Sequence, residues 1–361
     1  MSLIRVAAFT KYDREAASTR QRVLQYCPAL RDAGIEVHHF PLLSDDYVRE
    51  IATGEKSSRL AIAAAYGRRI RQLLAAQSFD VLWIYAELFP YLPATFEKLA
   101  SVRGKPIVYD FDDAFFQPYD DHPRTVVRRM LSGKLKPLLG RAAACCCGNQ
   151  YLRDYARPLC ANSIVVPTVV DTDKYRPAVD ARTHPLTIGW IGSPSTWVNV
   201  RPLLPVLEQA AKEHDARIRV VGAGVAGRND RSPYVDFVDW NEDREVADVQ
   251  AMDVGIMPLL DLPFQRGKSG YKIVQYMACG LPVVASPVGV NSTILRDGET
   301  GFLASTSHEW AGALDRLLRD GSLRERLGQA GRARAVESYS LASQTPRLIE
   351  VFRSAAAERG G

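Results

Sequence analysis

The stretch Arg266–Ser286 reads RGKSGYKIVQYMACGLPVVAS, a glycine-rich loop that runs into a helix pattern and then into a buried strand. Gly280 ends the helix and Pro282–Ala285 is the strand. A helix N-terminus carries a partial positive charge and unsatisfied N–H groups, so it favours anions such as phosphate. Lys268 and Lys272 would add two full charges there. The segment indicates an anion site, and a surface loop with solvated lysines is the alternative.

The same alternation of short apolar strands and longer amphipathic helices continues along the chain in both directions. Because strands separated by helices pair in parallel, the pattern predicts sheets that are covered by helices on both faces. The polar, proline-containing stretch 171–185 interrupts it and is interpreted as a linker. For this 361-residue chain the predicted fold class is α/β, with two doubly wound Rossmann-like domains, residues 1–175 and 186–340, that face a cleft.

The first predicted domain has six strands and the second has five. Two of the helix patterns, Thr19–Asp32 and Asp121–Leu139, contain Pro28 or Gly133 with Pro137 and are expected to kink or break. A third helix pattern is Arg59–Ala76. The predicted strands are Ile4–Phe9, Glu36–Phe40, Val81–Tyr85, Pro106–Asp110, Ala142–Cys147, Ser163–Val166, Thr187–Ile191, Arg217–Val221, Val235–Val238, Val254–Met257 and Pro282–Ala285.

Composition excludes several classes of protein. The hydrophobic content of 47% and the net charge of +5 are those of a globular protein without a nucleic-acid partner. No apolar run reaches the roughly 18 residues that a membrane span needs, and the N-terminus is interpreted as a strand instead of a signal peptide. The six cysteines, three of them at Cys145–Cys147, form neither a disulfide pattern nor a zinc spacing. We therefore expect a cytoplasmic protein.

Three carboxylates follow a predicted strand at Asp110, Asp112 and Asp113 and should face the cleft. An Asp-x-Asp pattern holds a divalent ion on a diphosphate in some sugar transferases. Without a third ligand, hydrogen bonding to a hydroxyl or ordering of the loop is the favoured interpretation.

The first helix begins at Ser18–Arg22, where Ser18 and Gln21 have the spacing of a capping box. Arg20 and Arg22 are unusual, because cations in a first turn oppose the helix dipole. An anionic ligand or simple exposure to solvent would each explain them.

Two small-residue loops follow strands of the second domain. Gly192, Ser193, Pro194, Ser195 and Thr196 would let a ligand approach the backbone, and a helix cap there is compatible with a phosphate contact. The segment 222–227 fits Gly-x-Gly-x-x-Gly, but the residues after it resemble a turn into another strand. A glycine-rich loop lining the cleft is therefore favoured over NAD binding.

Basic residues alternate with apolar ones between Arg124 and Arg141, with no acid among them. An amphipathic surface helix is the default interpretation. A helix resting on anionic lipid at the inner face of the membrane is the alternative.

The chain resembles the retaining glycosyltransferases of family 4, which have the two-domain GT-B fold, over nearly its whole length. The strongest similarity is the segment 275–286, followed by 297–303, 253–258 and the linker entry 171–177. The resemblance implies that the domain of residues 1–175 binds the acceptor, that residues 186–340 bind the donor, and that a last helix, residues 341–359, packs back on the first domain.

Such a resemblance implies sugar transfer from a nucleoside diphosphate sugar to an acceptor hydroxyl, with retained configuration and without a metal or other cofactor. A glycan or a lipid-linked molecule would be the acceptor. The expected catalytic residues are Lys268, Arg20, Asp112 and Asp113. The expected donor-binding residues are Gly192, Ser193, Ser195, Thr196, Ser269, Gly270, Tyr271, Lys272 and Gln275.

The chain departs from the family pattern at the usual Glu-x7-Glu, where it has Gly267 and Gln275. Our hypothesis is that Lys268 and Lys272 take over the role of the missing basic pair and that Gln275 bonds the ribose. A nucleotide-sugar epimerase of the same fold and a non-catalytic protein that binds sugar nucleotides or membranes are the rival functions.

Overall fold

The computed structural model describes residues 3–54, 57–101, 104–178, 185–230 and 232–358. The chain divides into two compact units. The first comprises Met1–Thr168, Arg266–Ser269 and Gln344–Gly361, and the second comprises Val169–Gln265 and Gly270–Ser343. Each unit is built on a six-stranded parallel sheet, which confirms the predicted α/β fold class.

The sheet of the first unit has the strand order β2-β1-β3-β4-β5-β6. The order reverses between β1 and β3, because β2 lies on one side of β1 and the later strands lie on the other. The buried thiols of Cys145–Cys147 lie in β5, so the predicted buried strand is confirmed. The strands are β1 Ile4–Tyr12, β2 Ile35–Leu43, β3 Val81–Tyr85, β4 Ile107–Phe111, β5 Ala142–Cys147 and β6 Ser163–Val165.

Both predicted helix breaks are present in the first unit. Pro28 lies in the first turn of a new helix, and Gly133, with a φ of 67°, separates two short helices. Short 3-10 helices occur at Leu24–Tyr26, Ala76–Ser78 and Lys98–Ser101. The α-helices are α1 Ala17–Arg22, α2 Cys27–Asp32, α3 Asp45–Thr53, α4 Arg59–Ala75, α5 Ala94–Glu97, α6 Gln117–Asp120, α7 Thr125–Leu131, α8 Lys136–Leu139 and α9 Gln150–Ala156.

The sheet of the second unit has the order β12-β11-β10-β7-β8-β9, which reverses between β7 and β10. Its last strand, β12, was not predicted from the sequence. The strands are β7 Thr187–Ile191, β8 Arg217–Val221, β9 Val235–Val238, β10 Val254–Met257, β11 Val283–Ala285 and β12 Gly301–Leu303.

Helices cover the second sheet. A five-residue helix begins at Gly224, inside the predicted glycine-rich loop, and the residues after it lead into a strand at Val235, as predicted. Two 3-10 helices occur at Pro194–Asn199 and Arg201–Leu203. The α-helices are α10 Leu204–Glu213, α11 Gly224–Arg228, α12 Glu245–Gln250, α13 Pro263–Arg266, α14 Tyr271–Ala278, α15 Asn291–Ile294, α16 Ser307–Arg319 and α17 Gly321–Tyr339.

The last helix, α18, comprises Leu341–Ala357. Phe352 packs edge-on against Trp83 of β3, with ring centroids 5.0 Å apart, and Arg353 donates a hydrogen bond to the Ala33 carbonyl at 3.1 Å. Arg359, part of the predicted helix, lies outside the described residues, as do residues 179–184 of the predicted linker. Within the described ranges, no helix has the length and apolar character that crossing a membrane requires.

Candidate active site

The second unit places its candidate residues where its sheet changes direction. β8 lies on one side of β7 and β10 lies on the other. In doubly wound sheets a crevice opens beyond the carboxyl ends of the strands at such a point, and ligands bind there. The predicted donor segment 192–196 follows β7 directly, so it begins at this crevice.

The backbone of Gly192 lies between a tryptophan ring and a lysine. A Cβ atom at Gly192 would collide with the indole of Trp190 and come within 2.9 Å of Cε of Lys272. The Lys272 ammonium lies 5.7 Å from the centroid of the Trp190 ring, within cation–π range. The structure therefore brings Gly192 and Lys272 together, although 80 residues separate them in the sequence.

The position of Lys272 depends on α14. The helix begins after Gly270, whose φ of 68° is in the left-handed region and where a Cβ would come 3.0 Å from Val290. Lys272 lies in the first turn, where it adds to the positive end of the helix dipole. The Tyr276 hydroxyl accepts a hydrogen bond from the Ile191 N–H at 3.0 Å. This bond ties the helix to the end of β7.

The hydroxyl residues after Gly192 cap the next 3-10 helix. The Ser193 N–H donates to Oγ1 of Thr196 at 3.2 Å, and this hydroxyl donates to the Ser193 carbonyl at 2.9 Å. Oγ of Ser195 lies 3.1 Å from Oγ of Ser193, and both serines are exposed. Capping therefore involves Ser193 and Thr196, and the side chains of Ser193 and Ser195 are exposed at the crevice.

Gln275 lies in a buried polar network. Its Nε2 donates to Oε1 of Glu245 at 2.9 Å and to the Tyr175 hydroxyl at 3.1 Å. Tyr175 also donates to Glu245, whose other oxygen accepts from the Trp240 indole at 2.8 Å. Gln275 is only 3% exposed, so its amide nitrogen is used within the unit. Sequence reasoning missed Glu245, because it lies 30 residues from its partner.

In the first unit, Asp110 at the end of β4 is paired with Arg22. Nε and Nη2 of Arg22 donate to the same carboxylate oxygen at 3.0 and 2.6 Å, and the Trp83 indole donates to the other at 3.2 Å. Burial lowers the pKa of Arg22, but Asp110 and Asp112 outweigh it, so the pKa is raised overall. Neither of the two interpretations offered for Arg22, an anionic ligand or solvent exposure, is correct, because the side chain is 1% exposed.

Asp112 is buried in a second hydrogen-bonded group. Its two oxygens accept from the Tyr85 hydroxyl at 2.6 Å and from the Thr168 hydroxyl at 3.0 Å. A Cβ at Gly148 would come within 2.7 Å of the Asp112 Cα atom, so the loop after β5 packs closely on this residue. These contacts fit the interpretation that Asp112 orders the loop.

Asp113 and Lys268, two of the predicted catalytic residues, form an ion pair. Nζ of Lys268 lies 3.0 Å from Oδ2 of Asp113, and both side chains are largely buried. Nδ2 of Asn149 donates to the carbonyls of Gly267 and Lys268, each at 3.0 Å. A Cβ at Gly267 would come within 2.9 Å of the Ala114 nitrogen. The segment 266–269, with half-buried Ser269, is therefore held on the first unit.

Arg20 has a different environment from Arg22. Its Nη1 donates to the carbonyls of Arg14 and Glu15, each at 2.9 Å, and the side chain is half-buried. The residue thus fixes the loop between β1 and α1. None of these contacts joins it to Asp112 or Asp113.

Between Arg124 and Arg141, the predicted break divides the helix pattern into α7 and α8. Lys134 between them is 1% exposed and donates to Glu97 and, at 2.7 Å, to the Phe89 carbonyl. It therefore belongs to the interior, which sequence spacing could not reveal because Glu97 is 37 residues away. Over the described part of the chain, no three His, Cys, Asp or Glu side chains group so that they could hold a metal ion.

Comparison with known proteins gives the catalytic class. Residues 185–320 match the family model described as Glycosyl transferases group 1. The chain is a glycosyltransferase. The matched segment contains β7 to β12 and α14, and so includes Gly192, Lys272 and Gln275 of the candidate site.

Two curated relatives of the enzyme are named as sugar transferases. A phosphatidyl-myo-inositol mannosyltransferase from Mycobacterium leprae is 27% identical over 321 residues, which cover 83% of the enzyme and 80% of the relative. A D-inositol 3-phosphate glycosyltransferase from Corynebacterium aurimucosum is 28% identical over 223 residues, 54% of the enzyme and 52% of the relative.

Solved structures show the same fold at low identity. Sucrose-phosphate synthase from Thermosynechococcus elongatus superposes with a TM-score of 0.76 at 15% identity, covering 98% of the enzyme and 100% of that chain. HepE from Anabaena, solved with UDP and glucose, superposes with a TM-score of 0.71 at 15% identity. The match covers 97% of the enzyme and 100% of the HepE chain. The two doubly wound units thus form the GT-B fold that the sequence predicts.

Proposed function

We propose that the enzyme transfers a sugar from a nucleoside diphosphate sugar to an acceptor hydroxyl with retained anomeric configuration, in the synthesis of a cell-surface glycan or glycoconjugate. The observation that carries this proposal is the position of Lys272 beside the Gly192 backbone, where the second sheet changes direction. HepE binds UDP and glucose, and the mycobacterial relative is named a mannosyltransferase, which supports a nucleotide sugar as donor.

The chemistry requires positive charge where the diphosphate leaves. As the glycosidic bond breaks, negative charge grows on the diphosphate, and fixed cations lower the free energy of that transition state. In this proposal Lys268, Lys272 and the first turn of α14 at Gly270 and Tyr271 supply that charge. No metal or other cofactor is then needed for this step.

The remaining predicted residues receive narrower roles. The Ser193 and Ser195 hydroxyls contact the donor phosphates, and Oε1 of Gln275 accepts from a ribose hydroxyl. Asp113 sets the position of the Lys268 ammonium through their ion pair. Asp112 and Arg20 order the loops that surround the acceptor.

Replacing Lys272 with methionine is expected to weaken nucleoside diphosphate binding about tenfold, or ~1.4 kcal/mol. Methionine keeps an apolar stem beside Gly192 and removes only the charge, so folding should not change. Nucleotide sugars are first screened by thermal shift, because a bound ligand stabilises the folded state. Isothermal titration of the variant, in buffer with EDTA, then gives the dissociation constant.

Lys212 on α10 is the matched control, because its side chain is exposed. Lys212→Met should bind the nucleotide like the unmodified enzyme. Equal affinity of the two variants would reject the phosphate role of Lys272. Loss of turnover in EDTA would reject the metal-free mechanism. Donor consumed to an isomeric sugar nucleotide, with no acceptor present, would point to an epimerase.

We also propose that α7 rests on an anionic membrane surface. Val126 and Met130 are 70% and 60% exposed one helical turn apart, next to the exposed Arg128 and Arg129. Each basic residue near an anionic surface contributes about 1 kcal/mol, and exposed apolar side chains add burial in the lipid interface.

Reversing two charges on α7, Arg128→Glu with Arg129→Glu, should reduce co-sedimentation with phosphatidylglycerol vesicles at least about tenfold. The pair Arg316→Glu and Arg319→Glu on α16 provides the control, since both arginines are exposed there. Equal loss in both double variants, or equal binding to phosphatidylcholine vesicles, would exclude a specific membrane role for α7.

A further inference from the structure

The first unit has a crevice position of its own, where its sheet changes direction between β1 and β3. By the same rule that places ligands at the reversal of the second sheet, a ligand should bind beyond the carboxyl ends of these two strands. β1 ends at Tyr12, and β3 leads into Ala86 and Glu87. Of the residues selected from the sequence, Arg20 contacts the loop that follows β1.

A lysine surrounded by tyrosines occupies this position. The ammonium of Lys11, in β1, lies 5.1 Å from the ring centroid of Tyr12 and 5.2 Å from that of Tyr91. Burial lowers the pKa of Lys11, but Tyr12, Tyr91 and Glu87 together raise it above its usual value. Lys11 is therefore a half-buried hydrogen-bond donor at this position.

Glu87 lies beneath this group with little exposure. It is 4% exposed, and no described donor is within hydrogen-bond distance of its Oε1 atom, although the Lys134 ammonium lies 3.7 Å away. Burial raises its pKa, and Lys134 and Lys11 oppose that change. Glu87 interacts electrostatically with Lys11, so a carboxyl group already accompanies the ammonium at this position.

Tyr91 is held in an unusual backbone conformation with its ring outward. Its φ is 62°, in the left-handed region that costs a residue with a Cβ atom roughly 1–2 kcal/mol. Its N–H donates to the Tyr119 hydroxyl at 3.1 Å, and that hydroxyl is bonded to Glu87. The ring is 69% exposed. The surrounding contacts thus hold Tyr91 in a strained conformation that places its exposed ring beside the Lys11 ammonium. Such strain is typical of residues that bind ligands.

We propose that Tyr91 and Lys11 form a subsite for a neutral polyhydroxylated ring, a sugar or a cyclitol, which is the acceptor of the transferred sugar. The ring face of the ligand lies on Tyr91, and the Lys11 ammonium donates to its hydroxyls. Flat aromatic surface beside a charged donor matches the apolar face and polar rim of such a molecule. The role as acceptor rests on the proposed sugar transfer, whereas the binding of a polyol does not.

The test uses the full chain with methyl α-D-mannopyranoside and myo-inositol as probes. Dissociation constants are measured by saturation-transfer NMR titration. Tyr91→Gly and Lys11→Met should each weaken probe binding at least about tenfold, whereas Tyr91→Phe should bind like the unmodified enzyme. Tyr91→Gly should not lower the midpoint of thermal unfolding, because glycine adopts the left-handed backbone without strain. Lys98→Met is the matched control on an exposed lysine of the same unit.

The outcomes separate this inference from the proposed function. Absence of probe binding, probe binding unaffected by Tyr91→Gly, or binding of inorganic phosphate in place of both polyols would overturn the subsite. Nucleoside diphosphate binding is measured on the same variants and should not change. Polyol binding that depends on Tyr91, without any nucleotide sugar that raises the midpoint of thermal unfolding, would reject the proposed nucleotide-sugar donor. The same result would support the polyol subsite.

Discussion

Replacing Lys268 with alanine should lower turnover of the nucleotide sugar at least ~100-fold, or about 2.7 kcal/mol of transition-state stabilisation. The ammonium lies 3.0 Å from one oxygen of Asp113, and a lysine ammonium carries three N–H donors. Its effect should fall on kcat more than on KM, because the charge that it stabilises grows as the bond breaks. Release of nucleoside diphosphate from a labelled donor measures both constants.

Two further variants show whether charge or structure is responsible. Lys268→Arg retains the positive charge and should recover part of the turnover. Asp113→Asn disrupts the same ion pair without removing the ammonium, so its loss of stability should resemble that of Lys268→Ala. If Lys268→Ala turns over the donor at a near-normal rate, the lysine has no role at the diphosphate.

Replacing Arg22 with leucine should destabilise the first unit by about 3–5 kcal/mol, since it leaves the carboxylate of Asp110 buried without its partner. The two side chains are 1% and 2% exposed and lie 2.6 Å apart. Val166 would also lose the Nη1 donor that bonds its carbonyl at 2.8 Å. Urea unfolding followed by circular dichroism gives the free energy of unfolding.

The exposed pair of Arg5 and Glu36 in the same sheet provides the control. These side chains are 40% and 42% exposed, and the charged atoms are 4.0 Å apart. Arg5→Leu should therefore cost less than about 1 kcal/mol. If Arg22→Leu costs no more than Arg5→Leu, the buried ion pair is not a main support of the fold. In a double variant with Asp110→Leu, stability should recover in part, because the unpaired charge is gone.

The strand ends that form the candidate site were largely predictable. Apolar runs such as Val81–Tyr85 and Thr187–Ile191 have a length and flanking residues that indicate a buried parallel strand, and the structure has both with the predicted bounds. β12, Gly301–Leu303, escaped prediction because three residues carry too little periodicity to distinguish a strand from a turn.

Side-chain environments were less predictable, and Arg20 and Arg22 show why. Both lie in α1 and look equivalent in the sequence. Residues two positions apart in a helix point in directions about 200° apart around its axis. Arg20 therefore bonds loop carbonyls, whereas Arg22 reaches the interior. Lys134, between α7 and α8, also looked like part of a basic surface, and Glu97 binds it in the interior.

The alternation of strands and helices, and hence two doubly wound sheets, could be predicted from the sequence, which also indicated the loop before α14 as a candidate anion site. Local periodicity and helix-end electrostatics are enough for that, because both depend on neighbouring residues. The contact of Lys272 with Gly192, the pairing of Lys268 with Asp113, and the position of Lys11 beside the strained Tyr91 became evident only in the folded structure. Each pair joins segments that are far apart in the chain, where strand order and packing, not sequence spacing, determine which side chains meet.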